Sequence, residues 1–272
     1  MKFVPKIPKK EHNLPPKHPL KEFLALLLGI GVIVVVTFLV LGIIASILAK
    51  NMSIETEEEI FDTFYSRILS KTEELSKPNE YLQNLADNLA SHEQVSFYDY
   101  EVRIICEEKP NALAIPGGNI LITSGLINML ETEIGLAMVL AHEMGHFKNR
   151  DHLRSLGRGL VLLSMSVVLG NSGANLLTSL LNLTELSFSR EQEEEADKYG
   201  QLLVKATYGN LNGADEFFRK LEERGSVLEK IPTFLSTHPA SKSRIIIPEY
   251  VDREEIPLAK IPPEIKEIKS CL

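Results

Sequence analysis

His142, Glu143 and His146 form an H-E-x-x-H run inside Thr132 to Asn149, a stretch whose pattern predicts a helix. Four residues on a helix turn through about 400°, so the two imidazoles leave one face about 40° apart. Two neutral imidazoles at that spacing can share one tetrahedral Zn2+, and Glu143 stands beside them to take a proton from water activated at the metal. The competing reading is a surface helix with two solvated histidines. Ile134, Leu136, Ala137, Val139, Leu140 and Ala141 make the preceding turns too apolar for it.

A hydrolytic zinc site takes three protein ligands and keeps one position for water. Downstream, the predicted helix Ser187 to Ala206 carries the run Ser189-Arg190-Glu191-Gln192-Glu193-Glu194-Glu195-Ala196-Asp197. Most such acidic runs are solvated helix faces. Here Glu193 pairs with Asp197 one turn later, Ala196 is small, and Leu186, Phe188, Leu202 and Leu203 frame the run. Glu193 can complete the triad while Asp197 holds a ligand histidine by its far nitrogen. Chemistry alone leaves the register open, because Glu191 and Glu195 are also four apart.

Other elements must carry these groups. Phe23 to Ala49 has no charge and as a helix is about 40 Å long, enough to cross a hydrocarbon core of about 30 Å. It is too long for the apolar region of a cleaved signal peptide, so the expectation is an uncleaved anchor. Six lysines (Lys2, Lys6, Lys9, Lys10, Lys17, Lys21) precede it, and Glu55, Glu57, Glu58 and Glu59 follow. The positive-inside rule places residues 1–22 in the cytoplasm and the rest on the exported side. The 272 residues carry a net charge of −8, concentrated after the anchor, which excludes a nucleic-acid partner. Residues 55–76 and 79–93 read as amphipathic helices. Tyr100 to Cys106 alternates as a strand, and Ala112 to Ile115 and Asn119 to Thr123 flank the turn Pro116-Gly117-Gly118 as a hairpin. Gly159 to Thr184 is uncharged, but a single crossing there would put the histidines and Glu193 on opposite sides of the membrane, and two crossings need more residues. It is expected to pack in the core or lie in the lipid surface. Beyond Pro232 the prolines predict an extended surface tail. Cys106 and Cys271 form no metal or redox motif and are expected to be unpaired.

Four motifs in order resemble the HtpX-type and CAAX-endopeptidase-type membrane metallopeptidases, with a layout like their periplasmic BepA-like branch. Asn111 to Gly118 resembles that family's N-A-x-A-x-P-G-G strand and turn. Val139 to His146 is similar to its L-x-H-E-x-G-H helix, and Ser189 to Asp197 to its S-R-x-x-E-x-x-A-D. Thr237-His238-Pro239 with Arg244 resembles T-H-P-x-x-x-x-R. The resemblance implies that His142, His146 and Glu193 are the Zn2+ ligands, one ion per chain, with Asp197 behind them. It also implies that Glu143 is the general base, and that His238 sits near the metal to donate a hydrogen bond to the oxyanion. Asn111, Ala112, Leu113 and Ala114 would form the edge against which an extended substrate lies. The chain departs from HtpX in having one N-terminal span and no paired spans between the ligands, and no helical repeats follow residue 250.

The expected fold is α+β and mostly helical: a zincin-like (gluzincin) metallopeptidase domain with a small edge-strand sheet behind one transmembrane helix. Its expected parts are a cytoplasmic segment 1–22, an anchor 23–49, a peptidase domain 50–248 and an extended tail 249–272. The expected function is a membrane-anchored zinc endopeptidase acting on exported or membrane-proximal proteins, misfolded ones among them, in a bacterial inner membrane. Its partners would be protein or peptide substrates and the lipid bilayer; nothing in the sequence sets the oligomeric state. A zinc-bound holdase or assembly factor of the same fold is the alternative. A purely structural zinc domain is disfavoured because such sites close with a fourth protein ligand.

Overall fold

The computed structural model describes residues 18–59, 76–93, 98–155, 188–225, 238 and 258–266. Gly159 to Thr184, Thr237, Pro239, Arg244, Cys271 and most of the predicted helix 55–76 lie outside them. Helix α1, Pro19–Asn51, is uniformly apolar through its middle. Among the described residues, Pro19–Leu48 is the one stretch long and apolar enough to cross a membrane, with a mean hydropathy of 3.1 and none of its most apolar window buried. A helix apolar on every side and covered by no other element suits lipid rather than water. Residues 54–59 are helical again, started by Ser53, whose Oγ accepts the Thr56 N–H at 3.2 Å.

Four short strands form one sheet: β1 Ser76–Pro78, β2 Glu101–Ile105, β3 Ala112–Ile115 and β4 Asn119–Thr123. Their spatial order is β1-β2-β4-β3, with β2 and β4 parallel and the other two pairs antiparallel. The hairpin predicted around Pro116-Gly117-Gly118 is present, and both glycines take positive φ, 83° and 79°. Such a backbone favours residues without a Cβ. Ser76, read from the sequence as the last residue of a helix, instead begins the edge strand Ser76–Pro78 on β2. The chain that follows forms α2, Glu80–Ala90, capped by the Asn79 side chain, with Leu82, Leu85, Ala86 and Leu89 on its buried face.

The remaining helices are α3 Ser124–Met129, α4 Glu133–Asn149, α5 Arg190–Tyr208, α6 Glu216–Gly225 and α7 Pro263–Lys266. Helix α4 is the centre of the molecule, with every residue from Ile134 to Phe147 buried. Thr132 caps its start by accepting the Gly135 N–H, and Arg150 ends it in the left-handed conformation at φ 55°. Glu216 of α6 locks that start from outside, accepting the Glu131 and Thr132 main-chain N–H groups at 2.7 and 3.0 Å. Helix α5 begins with a reciprocal capping box between Ser189 and Gln192. The core joins α2, β2, β4, α4, α5 and α6.

The C-terminal segment differs from a surface tail. Residues near Lys260 are extended and bridge to Thr132, but Ile261 and Ile265 are buried in the main core. Proline removes donors and helix, not burial, so a proline-rich strap can still carry apolar side chains inward. Cys106 also differs from expectation, because it is disulfide-bonded.

Candidate active site

The site is built where α4 and α5 cross. A Cβ placed on Gly145 would lie 2.7 Å from the Ala196 Cα, and one on Gly200 would lie 3.1 Å from the His142 main-chain nitrogen. Three small residues therefore let α5 pass against the backbone of α4. That approach places Glu193 beneath the two histidines, whereas Glu191 and Glu195 are exposed. Spacing alone left two registers of that acidic run, Glu193–Asp197 and Glu191–Glu195; the packing selects the first.

His142, His146, Glu193 and His238 each direct one donor atom to a common point, and all these atoms lie within 4.8 Å of one another. The two Nε2 atoms are 3.1 Å apart. Glu193 Oε1 is 3.4 Å from His146 Nε2, and Oε2 is 3.7 Å from His142 Nε2. His238 Nδ1 lies 3.0 Å from Glu193 Oε1 and 3.3 Å from His142 Nε2. Donors bound tetrahedrally at about 2.0–2.1 Å stand about 3.3 Å from one another, so this set has the dimensions of a transition-metal site.

The far side of each ring supports the same reading. His142 Nδ1 is 2.8 Å from Asp197 Oδ1, and His146 Nδ1 is 3.2 Å from Asp151 Oδ2. A carboxylate on Nδ1 keeps the proton there and leaves the Nε2 lone pair for a cation. Asp151 is itself held by Gln192, whose Nε2 donates to Oδ1 at 2.6 Å. Phe188 stacks flat on His146, with ring centres 3.9 Å apart. Sequence reasoning found Asp197 and missed Asp151, Gln192 and the stacking role of Phe188. Asp151 follows the end of α4, and only the left-handed turn at Arg150 folds it back under His146.

Four buried carboxylates, those of Glu143, Asp151, Glu193 and Asp197, surround three buried imidazoles. That surplus of negative charge is what a divalent cation balances. The same imbalance shows in the acidities. Burial works against the charged form of His146, but its bonds to Asp151 and Glu193 prevail and push its pKa up to about 9. Burial lowers His142. For Glu193 burial is outweighed by its bonds to His146 and His238, which hold the carboxyl well below the usual range.

Glu143 is fully buried, and among the described residues neither carboxylate oxygen has a hydrogen-bond partner of good geometry. Burial pushes its pKa up, while the histidines and the approaching Ala114 main chain draw it back. His238 Nε2 lies 3.7 Å from Glu143 Oε1. A buried acid with unused oxygens beside a cluster of donors is placed to exchange protons with a small ligand.

Strand β3 is at the margin of the sheet and packs beside α4. The Thr123 N–H donates to Asn111 O at 3.0 Å, which sets the phase of the β3–β4 pair. Asn111, Leu113 and Ile115 then turn their main-chain groups towards β4, and Ala112 and Ala114 turn theirs away from it. The Asn111 side chain accepts the Ala112 N–H at 3.1 Å. On the other side of His142, Met138, Val139, Ala214, Phe217 and Phe218 line a small apolar cavity.

The model of Peptidase family M48 matches residues 76–247, which contain the strand, both site helices and His238. The chain belongs to this family. It is similar to the mitochondrial metalloendopeptidase OMA1 of Schizosaccharomyces pombe, with 27% identity over 207 residues covering 72% of this chain and 61% of that one. It is also similar to the beta-barrel assembly-enhancing protease of Escherichia coli, with 26% identity over 214 residues, 72% of this chain and 44% of that one. The OMA1 of Saccharomyces cerevisiae is 30% identical over 157 residues, covering 54% of this chain and 45% of the other. The chain spans about half the length of the curated relatives it matches. The family part begins well after α1, so α1 and the 54–59 helix precede it.

Proposed function

We propose that this protein is a membrane-anchored zinc endopeptidase that hydrolyses exported or membrane-proximal proteins, misfolded ones among them. The observation that carries the reading is the convergence of His142, His146 and Glu193 on one point, with the buried carboxylate of Glu143 beside it. Membership of a peptidase family supports it, as do relatives named metalloendopeptidase and protease. The four ordered motifs that resemble HtpX-type and CAAX-type enzymes point the same way.

In this reading His142, His146 and Glu193 hold the ion. Bound Zn2+ supplies Lewis acidity, which polarises the scissile carbonyl and acidifies water. Glu143 takes the proton of the attacking water and delivers it to the leaving amine. Asp197 and Asp151 keep each imidazole in the tautomer that presents Nε2. An extended substrate lies along β3, where the outward main-chain groups of Ala112 and Ala114 pair with it and Asn111 and Leu113 fix the strand from behind. His238 contributes a hydrogen bond to the developing oxyanion once it has moved off the donor cluster.

A second reading is favoured by one observation. His238 Nδ1 stands inside the donor set, where it supplies a fourth ligand and closes the position that water needs. A chain resting in that form would bind proteins and cleave few of them, as a holdase does. The location proposed is a single membrane crossing with the site on the exported side, supported by the lysine bias before α1 and by the disulfide at Cys106, which suits an oxidising compartment.

The deciding experiment compares wild type with Glu143→Gln in detergent on unfolded casein. The variant should keep its zinc and lose about a hundredfold or more of the hydrolysis, because it removes only the proton acceptor. Equal turnover by the two would sink the enzymatic mechanism.

A further inference from the structure

Glu57 lies a short way beyond the end of α1 at Asn51 and outside the part of the chain that matches the family. It is completely buried, which is costly for a carboxylate unless donors surround it. Oε1 accepts the Gly117 main-chain N–H at 2.8 Å and lies 3.0 Å from His152 Nε2. Oε2 accepts the Tyr98 hydroxyl at 2.8 Å and lies 3.5 Å from Arg150 Nη1. Burial opposes its ionisation, but His152, Gly117 and Tyr98 together hold its carboxyl below the usual range.

Each partner is joined to an element of the candidate site. Gly117 is in the turn that ends β3. Arg150 is the left-handed cap of α4. His152 Nδ1 lies 3.4 Å from the His146 carbonyl oxygen. The Tyr98 ring packs on Phe147, which follows His146, with centres 5.0 Å apart. One side chain thus ties the hairpin that carries the substrate edge to the end of α4 that carries His146, and does so from the segment joining the anchor to the domain.

We propose that Glu57 is a positioning residue for the candidate active site, fixing the β3 edge strand relative to His146 and coupling both to the anchor segment. Its effect on turnover rests on the endopeptidase reading; its effect on the hairpin does not. The competing role is a plain fold lock, like that of Glu133, which accepts the Tyr81 and Tyr208 hydroxyls at the start of α4.

The test uses the full zinc-loaded chain in dodecylmaltoside, with casein as substrate, and reads kcat, KM, zinc content, Tm and amide hydrogen exchange. Glu57→Ala should keep its zinc, lower kcat about tenfold through misplacement of the edge strand, and speed exchange at residues 112–118 about tenfold while α2 is unchanged. Glu57→Gln keeps an acceptor for Gly117 and His152 and should recover most of the rate. Glu133→Gln should change Tm and leave kcat alone. If Glu57→Ala does not fold, the double variant Glu57→Gln with Tyr98→Phe is read instead, and a reduced kcat is expected. A lowered Tm with wild-type kcat and wild-type exchange at 112–118 makes Glu57 a fold lock and overturns the proposal. If wild type and Glu143→Gln are equally inert on casein, the endopeptidase reading fails separately, and unchanged exchange at 112–118 still overturns the role of Glu57.

Discussion

Gly145 and Ala196 meet across α4 and α5 so closely that a Cβ on Gly145 would stand 2.7 Å from the Ala196 Cα. The glycine in the H-E-x-x-H run is there for the neighbouring helix. The contact sets the height at which Glu193, one turn before Ala196, reaches His142 and His146. Gly145→Ala should therefore force the helices apart, destabilise the domain by about 1–3 kcal/mol and weaken metal binding as well. Thermal melting with and without added zinc reads both effects; wild-type values in both would show that the crossing is not tight.

Glu193 is enclosed with the histidines, while Glu191 faces solvent. Glu193→Ala and His146→Ala should each lose most of the bound zinc, and Glu191→Ala should keep it. Metal analysis after dialysis decides the point. Zinc lost from Glu191→Ala and retained in Glu193→Ala would shift the register of the whole site.

Asp151 reaches His146 Nδ1 through its Oδ2 and is gripped by Gln192 through Oδ1. Asp151→Asn keeps the shape but loses the charge that fixes the ring, so zinc affinity should fall about 10- to 100-fold with the fold intact. Competition with a chromophoric chelator measures this. Unchanged affinity would make Asp151 a helix-end contact only.

His238 supplies the fourth donor of the cluster. Removing it leaves the three proposed ligands His142, His146 and Glu193 in place, so His238→Ala should retain zinc. On the endopeptidase reading it also loses the hydrogen bond to the oxyanion, so its casein hydrolysis should fall about a hundredfold. A rise in rate with zinc retained would instead favour the closed, four-donor form as the resting state.

The sequence by itself determined the donor residues of the candidate site and most of the local structure. H-E-x-x-H on an apolar helix, the Pro-Gly-Gly hairpin, the α5 helix and the uncharged N-terminal stretch are all encoded by neighbours within a few residues, so spacing reveals them. Which carboxylate faces the histidines was a different matter. Glu191, Glu193 and Glu195 are alike in spacing and charge, and the motif resemblance favoured Glu193. Physically, Gly145, Ala196 and Gly200 decide it by letting two helices touch. Asp151 held by Gln192, Glu57 between Gly117 and His152, β1 at the sheet edge and Ile261 in the core were invisible for the same reason. Each depends on a partner far away in the chain, and a polar or apolar side chain acquires its role only when packing removes water and leaves it one neighbour to bond.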